Sequence, residues 1–246
     1  MKLEGRFAVV TGAARGIGYS IAHRLFEDGA AGVALLDMDE EGTKAAAASI
    51  DPSGKKAIGL KCNVADGDSV RKVFAEIISR FGRIDILVNN AGITRDAMFH
   101  KMTDDQWNSV INVNINGLYH CCKAVVGGMR EQKYGKIVNI ASVSAFGNIG
   151  QANYGASKAA VIGFTKCLAR EIARSNCTVN AIAPSYINTE MLRAVPENVM
   201  QKFIAAIPAD RLGEPAEVAS VVSFLSSDDS SFVTGECIVV SGGSYM

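Results

Sequence analysis

Two residues four positions apart, Tyr154 and Lys158 in "QANYGASKAAVIGF" (151–164), combine a phenol with an ammonium group. On a helix this spacing places both side chains on one face. A nearby ammonium group favours the phenolate and so lowers the pKa of a tyrosine from its ordinary value of about 10. A tyrosine tuned in this way can exchange a proton with a substrate oxygen. The pair is therefore a candidate acid and base. The alternative is two unrelated polar residues on the first turns of a helix.

The elements that must position this pair follow from an alternation of short apolar runs with amphipathic segments. The apolar runs are rich in β-branched residues and mostly unbroken, which is typical of strands buried on both faces of a parallel sheet. Strands are predicted at 7–11, 33–37, 56–62, 85–89, 136–142, 177–183 and 237–242. Helical patterns between them imply right-handed βαβ units. The predicted fold class is α/β: a single-domain, Rossmann-like, doubly wound parallel sheet of about seven strands with helices on both faces.

Several residues mark helix ends. Gly29 follows "SIAHRLFED" as a C-terminal cap, and Thr103 with Gln106 fits a capping box. Pro215 stands where a helix tolerates proline, near its start. We predict one dinucleotide-binding and catalytic domain over 1–246. Its least regular segment, 184–213 with Pro184, Pro196 and Pro208, is either a substrate-covering segment or a pair of surface helices.

Composition excludes some classes of function. The 246 residues are 48% hydrophobic and 20% charged, with a formal net charge of zero, which argues against a binding surface for nucleic acid or an anionic membrane. No apolar run is long enough to span a bilayer, and the N-terminal segment lacks the apolar core of a secretory signal. The six cysteines form no C-x-x-C pair and no zinc-type cluster with the three histidines, so no metal is expected. A cytoplasmic protein with reduced thiols is the resulting prediction.

A glycine-rich turn follows the first strand, in "VVTGAARGIGYSIA". Gly12, Gly16 and Gly18 have the spacing G-x-x-x-G-x-G, which differs from the common G-x-G-x-x-G. Glycines allow a tight turn and close approach of the backbone to a ligand, and a helix N-terminus offers free N–H groups to a pyrophosphate. At the first βα crossover this turn indicates a dinucleotide site, although a purely structural turn is the alternative.

Asp37 and Arg15 bear on which dinucleotide would bind. Asp37 ends the second strand, where its carboxylate can accept hydrogen bonds from both hydroxyls of an adenosine ribose and would repel a 2′-phosphate. Arg15, within the glycine turn, could instead pair with a 2′-phosphate. We give Asp37 more weight because it occupies the ribose position, so NAD(H) is favoured and NADP(H) is the alternative.

Four motifs in order, "TGAARGIG", "NNAG" (89–92), "YGASK" and "NAIAPS" (180–185), make the chain resemble the short-chain dehydrogenases/reductases from Arg6 to Met246. The segments "NNAGITRD", "GQANYGASKA" and "VTGECIVVSGGSYM" are most similar to the 3-oxoacyl-(acyl-carrier-protein) reductase branch. The resemblance implies a catalytic set in which Tyr154 is the acid, Lys158 holds the nicotinamide ribose, Ser142 binds the substrate carbonyl and Asn114 holds a water for proton supply. It also implies that Asn89 stabilises the sheet. The residues implied to bind the cofactor are Gly12, Arg15, Gly16, Ile17, Gly18, Asp37, Asn63, Val64, Asn90, Ala91, Gly92, Tyr154, Lys158, Pro184, Ile187 and Thr189.

The chain departs from the family pattern at two places. Ser142 precedes Tyr154 by one residue fewer than is usual, which leaves Ser144 as a rival. We prefer Ser142 because it directly follows the predicted strand "KIVNIA". The second departure is Ser185, which stands where relatives have a glycine beside the nicotinamide end.

The resemblance implies NAD(P)H-dependent reduction of a 3-oxoacyl thioester, carried by acyl carrier protein or CoA, to the 3-hydroxyacyl form. Because acyl carrier protein is acidic, a basic surface with Lys133 and Arg174 is a hypothesis for its docking, against ordinary solvated helix charges. Relatives are usually tetramers. The helix after Tyr154, with its small residues Ala159, Ala160 and Gly163, and the last strand would pair across subunits, or the small residues would pack on their own sheet.

Two other functions remain open from the sequence. One is an NAD-dependent dehydrogenase of the same family acting on a secondary alcohol, sugar or hydroxy acid, which Asp37 favours. The other is a non-catalytic dinucleotide-binding subunit. The presence of Ser142, Tyr154 and Lys158 together argues against the second, since such a subunit has no need of them.

Overall fold

The strands of the fold form one parallel sheet. A computed structural model of the chain describes residues 2–193 and 197–245. Met1, residues 194–196 (including Pro196 of the predicted covering segment) and Met246 lie outside the described residues. The sheet order is β3-β2-β1-β4-β5-β6-β7. The strands are β1 (Phe7–Thr11), β2 (Gly32–Asp37), β3 (Ala57–Lys61), β4 (Ile86–Asn89), β5 (Gly135–Ile140), β6 (Cys177–Pro184) and β7 (Cys237–Val240). All seven predicted strands are confirmed.

Helices cover both faces of the sheet, as the sequence predicts. They are α1 (Gly16–Glu27), α2 (Glu40–Ile50), α3 (Gly67–Phe81), α4 (Asp104–Ile111), α5 (Gly117–Glu131), α6 (Ala152–Ile172), α7 (Glu190–Arg193), α8 (Glu197–Ala205) and α9 (Pro215–Ser226). Successive strand residues point to opposite faces, so Val9 packs with α3, α5 and α6, and its neighbour Val10 packs with α1, α2 and α9. Both valines are fully buried, which explains why the strands read as unbroken apolar runs.

The three predicted helix signals are present. Thr103 and Gln106 form a reciprocal capping box at the start of α4, and Pro215 occupies the first turn of α9. Gly29 has a φ of +98°, and its N–H donates to the carbonyl of Phe26. This cap terminates α1. These local signals mark the end of α1 and the starts of α4 and α9. They therefore set the length of the connections between these helices and the strands.

The sheet order fixes the position of a ligand crevice. β1 pairs with β2 on one side and with β4 on the other, so consecutive crossovers leave β1 in opposite directions. In doubly wound sheets ligands bind outside the carboxyl ends of the strands at this reversal. The ends are Thr11 of β1 and Asn89 of β4, and the glycine turn and the "NNAG" motif begin there.

Gly59 tests the packing of α2 on the sheet. A Cβ atom on Gly59 would overlap the backbone carbonyl of Thr43 in α2, which has no flexible end to move. We therefore expect Gly59→Ala to destabilise the fold by about 1–3 kcal/mol, measured by denaturant unfolding. Gly127→Ala in α5 is the control, because no atom lies within 4 Å of its added Cβ and alanine favours a helix by up to about 1 kcal/mol. Equal stability of the two variants would contradict the proposed contact.

Candidate active site

The glycine turn between β1 and α1 has the shape that an anion site needs. Gly12 and Gly16 have φ values of +64° and +60°, a conformation that favours glycine. A Cβ on Gly18 would overlap the carbonyl oxygen of Gly12, so only glycine allows this close packing. No side chain caps the N-terminus of α1 and its first turn has no acidic residue, so its N–H groups remain available. These features fit a pyrophosphate at the start of α1. The predicted Ile17 packs into the core beneath the turn.

Asn90 joins this turn to the end of β4. Its side-chain amide donates to the carbonyls of Thr11 (3.0 Å) and Gly12 (2.9 Å), and its backbone N–H donates to the Thr11 hydroxyl. The backbone N–H of Ala91 donates to the same hydroxyl at 3.0 Å. The two predicted motifs are thus held together by one side chain and one hydroxyl.

Asp37 lies beside the glycine turn, as predicted. One carboxylate oxygen accepts from the Ala14 N–H and the other from the Asp39 N–H, both at 3.3 Å. Each oxygen keeps a lone pair for a further donor. Arg15 is three-quarters exposed, and its guanidinium lies 3.9 Å from the carboxylate of Glu190, which is equally exposed. Asp37 is therefore fixed at the turn, whereas Arg15 is held only by a solvated ion pair.

Asn63 and Val64 follow β3 on the adenine side of the predicted site. The Asn63 side-chain oxygen accepts from the Ala65 N–H at 3.1 Å, which leaves one lone pair for an outside donor. Val64 is buried, and its side chain contacts the position that a Cβ on Gly117 would occupy. This contact brings the start of α5 against the predicted adenine site.

The carboxyl end of β6 reaches the glycine turn from the other side. Pro184 ends the strand, and Ile187 is buried and bridges to Gly213. The methyl group of Thr189 lies 3.8 Å from a Cβ built on Gly16. The Ser185 hydroxyl lies 2.8 Å from that of Ser244, so the side chain of Ser185 is bonded to the C-terminal segment.

Lys158 is buried at the centre of the site. Its ammonium group donates to the Ile140 carbonyl at 2.6 Å, and only 4% of the residue is exposed. Burial lowers the pKa of Lys158 to about 8. The amine therefore stays mainly protonated at neutral pH. A Cβ on Gly92 would lie 3.4 Å from both the Lys158 nitrogen and the Asn114 oxygen, so these three predicted residues share one space.

Tyr154 corrects one expectation from the sequence. Burial raises the pKa of Tyr154, a hydrogen bond from the Ser142 side chain lowers it, and the charge of Asp96 raises it. The expected lowering of this pKa by Lys158 is not found. The ammonium group lies 5.6 Å from the tyrosine ring centre and is turned toward the Ile140 carbonyl. The structure thus describes a tyrosine that holds its proton at neutral pH.

Ser142 and Ser144 are placed differently. Ser142 lies two residues after the end of β5 and caps a short 3₁₀ turn, Val143–Phe146, by accepting from the Ser144 N–H at 3.2 Å. Hydrogen bonding by its side chain also lowers the pKa of Tyr154. The Ser144 hydroxyl lies 3.3 Å from that of Ser142. Ser142 is therefore the serine that acts on the pKa of Tyr154, whereas Ser144 contacts Ser142.

Asn114 lies in a single π-helical turn, Asn112–Asn116, between α4 and α5. Such turns add one residue to a helix and occur frequently at functional sites. The Asn114 oxygen accepts from the Ile93 N–H at 2.9 Å, and its amide donates to the Ile93 carbonyl and to the Ser157 hydroxyl. The π turn was missed from the sequence, since "NVNING" reads as ordinary helix.

Sequence reasoning also missed Asn153 and Ser157, both fully buried beside Tyr154. The Asn153 amide donates to the carbonyls of Arg95 and Gln106. The only sequence signal for these two residues was their position in "NYGASK", next to the predicted catalytic tyrosine and lysine. Neither residue type is expected to be buried without such partners.

Lys133 and Arg174 do not lie beside this site within one chain. Lys133 lies two residues before β5 and Arg174 lies three residues before β6. In a parallel sheet the starts of the strands lie at the edge opposite their carboxyl ends. The hypothesis of a basic surface at the entrance of the same subunit is therefore wrong for these two residues.

Within residues 2–193 and 197–245, no group of three or more His, Cys, Asp or Glu side chains is placed to hold a metal ion. In the same part of the chain, no helix has the length and apolar character needed to cross a membrane.

The crevice, the glycine turn and the group of Ser142, Tyr154 and Lys158 define the class of an NAD(P)-dependent oxidoreductase acting on CH–OH or C=O groups. Residues 12–245 match the family model described as enoyl-(acyl carrier protein) reductase. The chain belongs to the short-chain dehydrogenase/reductase family, whose members bind NAD(P)(H).

Individual relatives cover the whole chain. It is 46% identical over 247 residues to the 3-oxoacyl-(acyl-carrier-protein) reductase FabG of Vibrio harveyi, with 100% of both chains covered. The enzyme of the same name from Escherichia coli K12 is 44% identical over 247 residues, again with full coverage of both. That of Staphylococcus epidermidis ATCC 12228 is 42% identical over 240 residues, covering 97% of this chain and 98% of its own. The resemblance stated from the sequence is confirmed.

The two serines give a direct test of this site. We expect Ser142→Ala to lower kcat by about 100-fold or more, because Ser142 is the predicted donor to the substrate oxygen and the loss of one such donor has that magnitude. Ser144→Ala should change kcat by less than about fivefold. Steady-state kinetics on both purified variants measures this. A larger loss in Ser144→Ala than in Ser142→Ala would assign the role to Ser144.

Proposed function

We propose that this chain reduces a 3-oxoacyl thioester, bound to acyl carrier protein or CoA, to the 3-hydroxyacyl thioester with NAD(P)H. The observation that carries the proposal is the grouping of buried Lys158, whose ammonium group lies 5.6 Å from the Tyr154 ring centre, with Ser142, whose side chain lowers the pKa of Tyr154. Full-length relatives that bear the name of such a reductase support the substrate class.

The protein's own groups suit a reduction. A bound nicotinamide cofactor would supply the hydride. Tyr154, kept protonated by burial, gives its proton to the substrate oxygen, and the Ser142 hydroxyl donates to the same oxygen as negative charge develops there. Lys158 presents an ammonium group to the cofactor ribose. Asn114, beside Lys158, borders the route by which a water would return the proton to the site.

An exposed apolar rim at the site entrance supports an acyl substrate. It consists of Met98, Phe99, Phe146 and Ile149, of which Ile149 is 87% exposed. The Ala97 N–H donates to the Gly150 carbonyl, which brings the loop after β4 against the loop that leads into α6. Apolar side chains exposed together around a catalytic crevice are typical of a surface that receives an apolar ligand.

The segment 184–213 is proposed to cover the substrate. The rings of Tyr186 and Phe203 stack with centres 4.6 Å apart, which joins α8 to the end of β6. The Ala209 N–H donates to the Gly242 carbonyl, so the segment also rests on the C-terminal residues. These contacts of the segment's described residues support a position over the strand ends that carry the catalytic residues.

We propose NAD(H) as the preferred cofactor because Asp37 is fixed beside the turn, whereas Arg15 faces Glu190. A second candidate function, an NAD-dependent dehydrogenase of alcohols, sugars or hydroxy acids, rests on Asp37 alone. A non-catalytic dinucleotide-binding subunit is disfavoured by the presence of Ser142, Tyr154 and buried Lys158 together.

We further propose a homotetramer in the cytoplasm. Ala159, Ala160 and Gly163 are exposed on α6, so they face away from their own sheet and leave room for a second chain. β7 is an edge strand whose further pairing is open. The described cysteines are free thiols, which suits a reducing compartment.

The function is tested by initial rates on 3-oxoacyl thioesters and simple ketones with NADH and with NADPH. We expect acetoacetyl thioesters to be reduced with a higher kcat/KM than ketones. Tyr154→Phe should lose at least about 100-fold in kcat, because no proton donor replaces the phenol. Preferred turnover of a secondary alcohol with NAD would establish the second candidate instead, and full turnover by Tyr154→Phe would defeat the mechanism.

Cofactor preference depends on the charge of Asp37. Two unit charges about 4 Å apart repel by roughly 1 kcal/mol in water and roughly 4 kcal/mol at an effective dielectric of 20. We expect Asp37→Ser to raise kcat/KM with NADPH by about tenfold or more relative to NADH. Asp39→Asn removes a charge two positions away while keeping an oxygen for the α2 cap, and should change the ratio by less than about threefold. An unchanged ratio in Asp37→Ser would contradict the assignment.

A further inference from the structure

A closed ring of hydrogen bonds connects Asn114 to Tyr154 through the loop that follows β4. On the first side, the Asn114 side chain binds both the N–H and the carbonyl of Ile93, at 2.9 and 3.1 Å. Two residues further along the same loop, the Arg95 carbonyl accepts from the Asn153 amide at 2.9 Å. The Asn153 side-chain oxygen accepts from the Tyr154 N–H at 2.7 Å.

The ring closes through Ser157. The second hydrogen of the Asn114 amide group reaches the Ser157 hydroxyl at 2.9 Å, and that hydroxyl donates to the Tyr154 carbonyl at 2.7 Å. Asn153 and Ser157 therefore bind the two backbone groups of Tyr154, one on each side. Both side chains are fully buried, and hydrogen bonds in such surroundings are stronger than the same bonds at a surface.

Two further bonds hold the same loop to the start of α6. The Gln151 amide donates to the Asp96 carboxylate at 2.8 Å, and the Ala97 N–H donates to the Gly150 carbonyl at 2.9 Å. Asn153 also donates to the Gln106 carbonyl in α4. The buried side-chain amide of Asn153 thus joins three elements: the loop that follows β4, the helix α4 and the first turn of α6.

We propose that Asn153 and Ser157 are positioning residues that set the place of Tyr154 relative to Asn114, with the loop 93–97 as the connecting piece. Neither side chain acts on the reacting atoms in this proposal. Each acts through the backbone of Tyr154, and breaking the ring at either residue lets Tyr154 shift relative to Ser142 and Lys158. A misplaced catalytic group lowers the rate of the chemical step more than it changes binding.

The ring predicts a specific kinetic pattern. Wild type is first assayed on the panel of thioesters and ketones described above, and its best substrate is then used throughout, because the proposal needs an active oxidoreductase and not one particular substrate. Asn153→Ala and Ser157→Ala should each lower kcat by about tenfold or more with KM for the cofactor within about twofold. The kcat of the double variant should lie within about threefold of the kcat of the slower single variant, since one break already opens the ring.

Asn180→Ala is the matched control for buried asparagine. Asn180 is fully buried and ties a distant loop by two backbone bonds, to the Val233 carbonyl (2.8 Å) and from the Glu236 N–H (3.1 Å). The Asn180→Ala variant should lose about as much thermal stability as Asn153→Ala, yet keep kcat within about twofold of wild type. An equal loss of kcat in the Asn180→Ala control would show that the effect of Asn153→Ala comes from lost stability and not from the position of Tyr154.

A measurement that needs no turnover completes the test. Hydrogen–deuterium exchange of the peptide covering residues 93–101 should be faster in Asn153→Ala than in wild type, and unchanged in Asn180→Ala. Multiplicative losses in the double variant, or unchanged kcat in a folded Asn153→Ala enzyme, would overturn the proposal. Absence of wild-type turnover on thioesters, with turnover of another substrate, would count only against the proposed substrate.

Discussion

The catalytic helix is held to the sheet by a short chain of buried hydrogen bonds. Asn89 at the end of β4 donates to the Asn139 side chain in β5 at 2.9 Å, and Asn139 donates to the Thr165 hydroxyl in α6 at 2.9 Å. The two asparagines are paired in strand register, so their side chains meet without distorting either strand. Because breaking these bonds would leave further buried polar groups without partners, they favour the observed placement of α6 along the sheet. Tyr154 and Lys158 take their positions from it.

Much of this arrangement can be predicted from the sequence. Strand positions follow from β-branched runs, because a sheet covered on both faces buries every strand residue. The glycine turn, Asp37 and the ends of α1, α4 and α9 follow from local backbone chemistry, which acts within a few residues. These features are predictable because their physical causes lie next to them in the chain.

The remaining features depend on distant groups. Nothing local in "NVNING" marks a π turn, since the extra residue is accommodated by contacts with Ile93 and Ser157. Lys133 lies at the far edge of the sheet because it precedes its strand, whereas the site lies at the carboxyl ends of the strands. Closeness in sequence to Ser142 does not give this information. The pKa of Tyr154 depends on how deeply α6 is packed and on Asp96, which lies 58 positions away in sequence. The spacing of Tyr154 and Lys158 predicts the shared face and not the direction in which the ammonium group points.

The raised pKa of Tyr154 changes how the pair is understood. A tyrosine tuned toward the phenolate would suit removal of a proton from an alcohol, whereas reduction of a carbonyl needs a donor that is protonated before the reaction. Burial keeps that proton on Tyr154, while the pKa of Lys158 near 8 leaves the amine largely charged at neutral pH. The Ser142 hydroxyl is the one contact that favours the phenolate, and it becomes more favourable as the proton leaves. The protonated state of Tyr154 therefore suits the proton donation that a reduction needs, with Ser142 supplying stabilisation when charge develops.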